Sequence, residues 1–370
     1  MIYLDNAATT FPKPDCVINA VSDFLKHYGG NPGRGGHTLS AIAADKILEC
    51  REELASLLNI DNAEQIIFTK NATEAINLAI KGTLKKGDEI IISSMEHNSV
   101  LRSAISMEKE GITVKIAQAD RSGLVTPKSI SAIITPQTKM ICVIHASNVV
   151  GTENPIREIY TMARSKNILM LVDAAQSGGI LQIDNSCGDM IAFAGHKALY
   201  GPFGTGALYI KPGITLNTLI EGGTGSMSES AFMPDILPDR FEAGTVNACG
   251  IAGLCEGIKF IKREGAKEKE ELLAKVLFEE LSTVKGIKVL GTPKIGVAGI
   301  LVKNHDCVDV SSRLNSEYAI ASRAGLHCSP MAHRTLGTVT SGLLRLSTGF
   351  FNTEKDIKDA VFALENILKN

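Results

Sequence analysis

The chain has 370 residues, of which 38 are Lys or Arg and 40 are Asp or Glu, so its formal net charge is −2. This balance argues against a protein that wraps nucleic acid or binds a membrane through a basic surface, and we expect neither as a partner. Hydrophobic residues make up 44% of the chain, enough to bury a large core. The length fits two domains, or one large domain with an appendage.

Short β-rich segments alternate with helical patterns between about residues 65 and 210. The predicted strands are 65–69, 89–93, 113–117, 140–145 and 168–172, and the predicted helices between them are 72–81, 99–110 and 156–165. Such alternation is typical of βαβ units and a mostly parallel sheet. Sheets of this kind bind ligands at the carboxyl ends of their strands, so residues just after strands are the candidates for function.

The pattern changes after about residue 250, where a second, smaller α+β domain is predicted. Its predicted helices are 251–263, 267–282 and 353–369, and its predicted strands are 287–290, 299–302 and 343–347. The last helix is amphipathic, and Thr353 with Asp356 has the spacing of an N-terminal capping box. The boundary between the two domains is expected near 250–265.

Eight cysteines are present, with no CxxC pair and no Cys/His cluster at zinc spacing, so no metal site is expected. The opening segment 1–5 carries an acid and does not resemble a secretory signal, and no uncharged stretch approaches the about 20 residues that span a bilayer. We therefore expect a cytoplasmic protein whose cysteines are reduced and mostly buried as small apolar residues.

Two strand ends carry groups that suit an aldehyde cofactor. Lys197 follows the apolar segment 190–193, and a desolvated lysine has a lowered pKa and reacts with aldehydes. Asp173 ends another hydrophobic segment, where a carboxylate can keep a ring nitrogen protonated, as pyridoxal phosphate requires. Taken alone, each fits an ordinary role better, as a surface lysine in a loop or an N-capping aspartate.

Three further strand ends contribute polar groups. Segment 69–77 turns from strand to helix near Ala72 and Thr73, where free N–H groups and the helix dipole favour a phosphate. His97 follows another strand, and its flat imidazole suits a position against a cofactor ring, while Asn148 follows a third. Each has a structural alternative, but five polar groups converging from five strand ends favour a binding site.

The sequence now resembles a known family, the class V, fold-type I pyridoxal-phosphate enzymes, and within them the cysteine desulfurases. The combination that carries the resemblance is specific and occurs in this order: 71–74, 96–98, 173–176 and 195–197. The match extends nearly end to end, over 3–353. It implies an α/β fold with a large domain at 15–255, built on a mostly parallel seven-stranded sheet between helices. Residues 1–14 and 256–370 would form the smaller α+β domain.

The resemblance implies a pyridoxal 5′-phosphate site and a role for each matching residue. Lys197 would carry the cofactor through its aldehyde, Asp173 would pair with the pyridine nitrogen, and His97 would stack on the ring. The other groups expected around the cofactor are Gln176 at the ring oxygen, Asn148 on the substrate and cofactor side, and Ala72, Thr73 and His196 at the phosphate. Lys197 and His97 are expected to be catalytic.

Two further elements of the resemblance concern the substrate and a second subunit. Segment 240–245 resembles the part that reaches the phosphate of the neighbouring subunit, which implies a homodimer with shared active sites and a cofactor contact from Thr245. Arg345 matches the arginine that grips the substrate carboxylate, for which its fork geometry is suited. The glycine-rich stretch 29–37 resembles an active-site loop, with Arg34 and His37 facing the substrate.

Segment 323–330 resembles the Arg-x-Gly-x-His-Cys loop of the group II desulfurases, related to SufS-like and selenocysteine-lyase-like enzymes. The resemblance makes Cys328 a catalytic residue that accepts sulfur from L-cysteine, releasing L-alanine, and passes it to an acceptor protein. Arg323 and His327 would favour its thiolate if they face it. The other seven cysteines are expected to be structural, including Cys307, which is expected in a loop.

Three positions depart from the group II pattern. Ala194 stands where a serine usually touches the phosphate, Leu326 replaces the first of two histidines, and Ser329 replaces an alanine. They concern cofactor affinity and sulfur reactivity rather than the fold. The alternatives left open are a selenocysteine lyase, another class V activity such as an aminotransferase, and a cofactor-bound scaffold with a degenerate site, which only Ala194 supports.

Overall fold

The computed structural model describes residues 1–33 and 35–369. Within them the α-helices are α1 (Asp15–His27), α2 (Thr38–Leu57), α3 (Ala72–Thr83), α4 (Asn98–Ser106), α5 (Pro127–Ser131), α6 (Ile156–Ser165), α7 (Ala248–Glu264), α8 (Ala266–Ser282), α9 (Cys307–Tyr318), α10 (Pro330–Leu336) and α11 (Glu354–Ile367). The strands are β1 (Ile2–Tyr3), β2 (Ile66–Thr69), β3 (Glu89–Ser93), β4 (Thr113–Ala117), β5 (Thr138–Ile144), β6 (Leu169–Asp173), β7 (Met190–Ala194), β8 (Gly206–Ile210), β9 (Ile287–Leu290), β10 (Val297–Val302), β11 (Ile320–Ala321), β12 (Arg323–Gly325) and β13 (Leu343–Ser347).

A seven-stranded sheet forms the centre of the large lobe, in the order β2-β8-β7-β6-β5-β3-β4. Neighbouring strands are parallel except where β8 runs antiparallel to β2 and β7. Because side chains alternate along a strand, Ile91 belongs to the buried cluster that contains residues of α2 and α7. Ile90 and Ile92 belong to the cluster on the other side, which contains residues of α3 and α4. The expected α/β fold, with a mostly parallel sheet between helices, is confirmed.

The smaller lobe is built on a four-stranded antiparallel sheet in the order β12-β13-β10-β9. Its core joins this sheet to apolar residues of α8, α9 and α11, and it includes Leu4 from the start of the chain. β1 pairs in parallel with β11, which ties the N-terminal segment to the same lobe. These contacts agree with placing the N-terminal segment in the smaller lobe. The predicted boundary at 255/256 falls inside α7, whose Ile258, Phe260 and Ile261 belong to the same buried cluster as residues of α2. The division into 15–255 and 1–14 with 256–370 stays a prediction.

Three local expectations are corrected by the structure. The predicted helix 99–110 is α-helical only to Ser106 and continues as a 3₁₀ helix over Met107–Glu110. The break between α7 and α8 is the single residue Gly265, whose φ of 61° is a left-handed conformation that glycine adopts without strain. The loop expected at Cys307 is wrong, because the Asp306 side chain accepts from the N–H of Val308 at 2.7 Å and caps a helix that Cys307 begins.

Candidate active site

A cavity of about 370 Å³ lies where the carboxyl ends of β3, β5, β6 and β7 meet the smaller lobe. The residues expected at strand ends that line it are Ala72, Thr73, His97, Asn148, Asp173, Gln176, His196 and Lys197. The wall contributed by the smaller lobe contains Arg323, His327, Cys328 and Arg345. The structure therefore brings together, in one cavity, groups that are up to about 270 residues apart in the sequence (from Ala72 to Arg345).

Lys197 and Asp173 face this cavity from neighbouring strand ends. Lys197 follows β7 in a turn that needs Gly195, since a Cβ at that position would clash with the Thr205 side chain. Burial lowers the pKa of the Lys197 amine to about 8, and the carboxylate of Asp173 opposes part of this shift. Asp173 is itself buried, which raises its pKa, and its Oδ1 accepts the N–H of Ala175 at 2.9 Å. A partly neutral amine thus lies beside a buried carboxyl group.

His97 is held in one orientation by the first turn of α4. Its Nδ1 accepts the N–H of Ser99 at 3.1 Å, and the Ser99 hydroxyl bridges His97 Nδ1 at 2.8 Å and the Thr73 hydroxyl at 2.7 Å. Burial and the positive charge of Lys197 lower the pKa of His97 to about 4. The imidazole is therefore neutral at pH 7, and it lines the cavity with Nδ1 held by Ser99.

One end of the cavity has the features of an anion site. Ala72 and Thr73 form the first turn of α3, where N–H groups lack helical partners, and Asn71 caps only the Glu74 N–H, at 2.9 Å. His196 Nδ1 is buried and has no hydrogen-bond partner within the described residues. Burial lowers the pKa of His196 to about 4, so its imidazole is neutral. A phosphate would accept from these groups.

Small side chains on the cavity wall leave room for a flat ring. Ala72, Ala175 and Ala194 pack together as three small side chains on its wall. Gln176 is fixed by an amide hydrogen bond to the carbonyl oxygen of Ala7, at 2.9 Å, which leaves its second amide hydrogen free for a ring oxygen. With the buried carboxyl of Asp173, the neutral His97 and the anion site, these groups fit pyridoxal phosphate.

Arg345 enters the cavity from β13 and is 3% exposed. Its Nη1 donates to the carbonyl oxygen of Asn148 at 3.0 Å, and its Nη2 donates to Asp5 Oδ1 at 2.8 Å. Burial lowers the pKa of Arg345, and Asp5 opposes that shift. Its Nε is buried without a partner among the described residues, so the guanidinium keeps hydrogen-bonding capacity for an anionic ligand.

Cys328 lies in the connection between β12 and α10, and it is exposed to the cavity. His327 and Cys328 both have left-handed backbone conformations, with φ of 48° and 57°. Three hydrogen bonds hold this connection: Asn98 N–H to the Cys328 carbonyl at 2.7 Å, Asn148 Nδ2 to the His327 carbonyl at 2.8 Å, and Ser329 Oγ to Asn148 Oδ1 at 2.9 Å. They offset the cost of two strained residues, which is of order 1–3 kcal/mol each.

The charges near the Cys328 thiol differ from those expected. His327 uses Nε2 to donate to the Leu343 carbonyl oxygen at 3.1 Å, and burial together with Arg345 lowers its pKa to about 3. Its ring is therefore neutral and supplies no positive charge. Arg323 and Lys197 line the cavity with Cys328 and interact with it electrostatically.

Two predicted site residues, His37 and Thr245, do not line this cavity. His37 is exposed and caps α2 through Nδ1, which accepts the Ser40 N–H at 3.3 Å, and it does not line the cavity. Thr245 lines a separate cavity of about 210 Å³ with apolar residues such as Phe68 and Phe241. Arg34 lies outside the described residues. Their roles in the site stay predictions.

The other seven cysteines do not line this cavity. Cys50, Cys142, Cys187, Cys255 and Cys307 are buried, and Cys16 and Cys249 are partly exposed. Burial raises the pKa of the Cys142 and Cys307 thiols, so they are unreactive as nucleophiles. This distribution agrees with structural roles for the seven.

Sequence reasoning missed two residues that hold the site. Ser99 follows His97 closely and could have been found as a hydroxyl in the first turn of a helix. Asp5 forms ion pairs with Arg345 and Arg323, 340 and 318 positions away, and no local pattern links these residues.

In the described residues no cluster of three or more His, Cys, Asp or Glu side chains is arranged to hold a metal ion. No described helix has both the length and the apolar character of a membrane span.

Known proteins resemble this chain over nearly its whole length. The family model for class-V aminotransferases matches residues 2–359. A probable cysteine desulfurase of Methanothermobacter thermautotrophicus is 35% identical over 99% of this chain and 94% of its own length. A cysteine desulfurase of Salmonella agona is 33% identical over 99% of this chain and 93% of its own length.

Solved structures agree with this assignment. The apo structure of a cysteine desulfurase from Thermococcus onnurineus NA1 has a TM-score of 0.92 and 30% identity, covering 100% of this chain and 94% of that one. The cysteine desulfurase CsdA from Escherichia coli has a TM-score of 0.89 and 28% identity, covering 99% of this chain and 94% of that one. The chain belongs to the class-V aminotransferase family, and within it to the pyridoxal-phosphate-dependent cysteine desulfurases.

Proposed function

We propose that this pyridoxal-phosphate-dependent cysteine desulfurase converts L-cysteine to L-alanine and takes the sulfur onto the thiol of Cys328. The observation that carries the proposal is the position of Cys328. Among the cysteines of the described residues it alone is exposed and lines the cavity of Lys197, Asp173 and Arg345. An aminotransferase has no need of a thiol there.

Pyridoxal phosphate, when bound, supplies an aldehyde for the substrate amine and an electron sink for the bonds at the substrate Cα. Lys197 Nζ is the proton carrier, since its lowered pKa of about 8 gives a substantial neutral fraction near neutral pH. Asp173 would hold a proton on the ring nitrogen, and neutral His97 would lie against the ring face. His196 and the first turn of α3, with Ala72 and Thr73, would bind the phosphate.

The substrate would be oriented by its carboxylate. Arg345 is the cation for this contact, because its buried guanidinium is fixed by Asn148 and Asp5 and retains an unpartnered Nε. A fixed guanidinium loses little freedom when it pairs with a carboxylate. The substrate side chain would then extend toward Cys328, which lies on the same cavity wall.

Sulfur transfer then requires Cys328 as a thiolate, the nucleophilic form of its side chain. The Cys328 sulfur forms a bond to the substrate sulfur, and the bond between that sulfur and the substrate Cβ breaks. The electron pair stays on carbon, which takes up a proton, so carbon is reduced and both sulfurs are oxidised. Alanine leaves, and the persulfide on Cys328 awaits a sulfur-acceptor protein or a thiol reductant.

A homodimer with shared active sites is part of the proposal. Residues 211–247 connect β8 to α7 without a helix or strand and carry exposed apolar side chains, with Phe232 83% exposed. They line an open depression of about 1390 Å³ together with Gly33, Gly35 and Gly36, away from Lys197. A second copy covering this surface would bury it. The shared site proposed here has Thr245 of each subunit contact the cofactor phosphate in its neighbour.

The dimer is tested by sedimentation of the holoenzyme. Phe232→Asp should shift the protein toward monomers and weaken cofactor binding, because a charge would be buried at the interface. Phe362→Asp, at a 63% exposed phenylalanine on α11, is the matched control and should leave both properties unchanged. A wild-type monomer that binds the cofactor tightly would contradict shared sites.

The loop that carries Cys328 bears on two further proposals, the alternative substrate and the cellular location. Its likeness to group II and selenocysteine-lyase-like enzymes makes L-selenocysteine the alternative substrate to assay in parallel. A reactive thiol without disulfides suits a reducing compartment, so we propose a cytoplasmic location.

The activity is tested with purified protein, pyridoxal phosphate, L-cysteine and a thiol reductant. Alanine and sulfide should appear in equal amounts with no keto acid added. An absolute requirement for a keto acid, with no sulfide, would instead identify a transaminase.

A further inference from the structure

A buried glutamate lies next to residues that line the cavity, and it has no role in the proposed sulfur transfer. Glu96 comes shortly after β3 and is 0% exposed. Its Oε1 accepts the Ser93 hydroxyl and the backbone N–H of Ile144, the latter at 2.7 Å. Its Oε2 is buried without a partner among the described residues, so a proton on this carboxyl group would sit on Oε2. The side chain joins the ends of β3 and β5.

The hydrogen bond to Ile144 brings Glu96 into the neighbourhood of Asp173. Ile144 is paired in register with Asp173, since β5 and β6 are parallel neighbours, and both residues line the cavity. Glu96 is therefore subject to the negative charge of Asp173. Two carboxyl groups that interact in a buried place do not both ionise readily, so we expect the pair to retain one proton.

The surroundings decide which of the two carboxyl groups keeps that proton. Asp173 interacts with a cation, Lys197, which favours its ionised form. Glu96 pairs with no Lys, Arg or His among the described residues, and burial, together with the charge of Asp173, raises its pKa to about 8. The buried thiol of Cys142 and the imidazole of His97 are neutral at pH 7 and supply no charge. The proton therefore stays on Glu96.

We infer that Glu96 is a positioning residue that holds a proton as a neutral acid, and so leaves Asp173 as the one ionised carboxylate of the pair, beside the cofactor ring. If Glu96 ionised instead, Asp173 would be driven to take the proton and would lose the charge that pairs with the ring nitrogen. Glu96 does not line the cavity, so it acts through Asp173. The inference goes beyond the proposed sulfur transfer, because it concerns the protonation of the protein beneath the cofactor.

Infrared spectroscopy of the apo protein tests the protonation of Glu96 directly. The difference between wild type and Glu96→Gln at pH 6 should contain the carbonyl-stretching band of a neutral carboxylic acid, since glutamine has no such group. In wild type this band should disappear with a midpoint near pH 8. Glu110→Gln, at an exposed position, is the matched control and should retain the band.

Asp173→Asn tests the coupling between the two carboxyl groups. Removing the neighbouring negative charge should move the midpoint of the Glu96 band to lower pH by roughly half a unit or more. Asp61→Asn, which removes an exposed carboxylate outside the cavity, should leave the midpoint unchanged. A role of Glu96 confined to joining β3 and β5 would not make the midpoint depend on Asp173.

The affinity for pyridoxal phosphate tests what the neutral acid does for the site. Glu96→Gln imitates the neutral acid and can accept the same two hydrogen bonds, so its Kd at pH 7 should stay within about twofold of wild type. Glu96→Ala loses the bonds to Ser93 and Ile144 and should raise the Kd by about fivefold or more. Equilibrium dialysis measures both values.

The absence of an acid band from the difference spectrum, or a midpoint that Asp173→Asn leaves in place, would overturn the inference. So would a Glu96→Gln protein that binds the cofactor as weakly as Glu96→Ala. If Glu96→Ala fails to fold, the infrared results and the Kd of Glu96→Gln decide. Because none of these measurements involves sulfur transfer, a failure of L-cysteine desulfuration would count against the proposed function alone.

Discussion

The backbone N–H of Asn98 donates a hydrogen bond of 2.7 Å to the carbonyl oxygen of Cys328. This bond joins the first turn of α4, one residue after His97, to the connection that carries the thiol. The imidazole proposed to face the cofactor ring and the sulfur proposed to attack the substrate therefore share one backbone anchor. The hydrogen bond thus connects the smaller lobe to α4 of the large lobe, beside the position proposed for sulfur transfer.

Asn148 is the second anchor of this connection, and its removal should slow sulfur transfer. In Asn148→Ala the hydrogen bonds to the His327 carbonyl and the Ser329 hydroxyl are lost, so the thiol is less well positioned. Persulfide formation should fall by about tenfold or more, and the free energy of unfolding by about 1–3 kcal/mol. Rapid-quench assays and urea denaturation measure the two effects. Asn185→Ala, at an exposed amide, is the control.

Lys197→Ala should abolish turnover and the visible absorption band of the bound cofactor, because Lys197 is the amine of the cavity that would hold the cofactor covalently. The band is followed by absorbance after addition of pyridoxal phosphate, and alanine is quantified by chromatography. Lys13→Ala, also at a partly buried lysine, lies outside the cavity lining and should keep the band. A visible band that survives in Lys197→Ala would refute the assignment.

Ala194→Ser should tighten cofactor binding. Ala194 is buried at the end of β7 and lines the cavity beside Ala72, close to the proposed phosphate site. A hydroxyl there can donate one hydrogen bond, which contributes about 0.5–1.5 kcal/mol, and this corresponds to a Kd for pyridoxal phosphate that is lower by roughly two- to thirteenfold. Equilibrium dialysis of the apo protein measures this Kd. Weaker binding would place the phosphate elsewhere.

Stability should fall with rising pH because of Glu270 on α8. Burial raises the pKa of Glu270 to about 7 from its ordinary value of 4.5, while its Oε1 accepts the Tyr200 hydroxyl. Between these pH values the folded protein retains a proton that the unfolded chain has released. The stabilisation from this retained proton is therefore complete below about pH 4.5 and is lost as pH rises through about 7. The free energy of unfolding falls by about 3 kcal/mol over this range.

Glu270→Gln removes this titration but keeps an oxygen for Tyr200. The variant should match wild type in urea denaturation at pH 5 and exceed its stability at pH 8. Glu279→Gln, at an exposed position on the same helix, should show no such difference. Equal stability of Glu270→Gln and wild type at pH 8 would mean that Glu270 ionises freely in the folded state.

The sheet and its strand ends follow from the sequence because they depend on local pattern. The apolar segments that end at Asp173 and Ala194 are readable as buried strands, and parallel pairing brings their ends to one edge. What the sequence could not supply is contact between distant segments. His327 is neutral because its ring meets the Leu343 carbonyl, and Asp5 matters because it meets Arg345, contacts that no periodicity encodes. Cys307 begins a helix rather than the predicted loop because Asp306 caps the first turn.

The central claim is that Cys328 receives the sulfur, and mass spectrometry after a single turnover tests it most directly. Holoenzyme is mixed with one equivalent of L-cysteine without reductant, alkylated and digested. Wild type and Cys249→Ser, which lacks a partly exposed thiol outside the cavity, should both carry one added sulfur atom on the Cys328 peptide. Cys328→Ser should bind the cofactor and L-cysteine but form no persulfide. An undiminished yield of alanine and sulfide from Cys328→Ser would contradict the account.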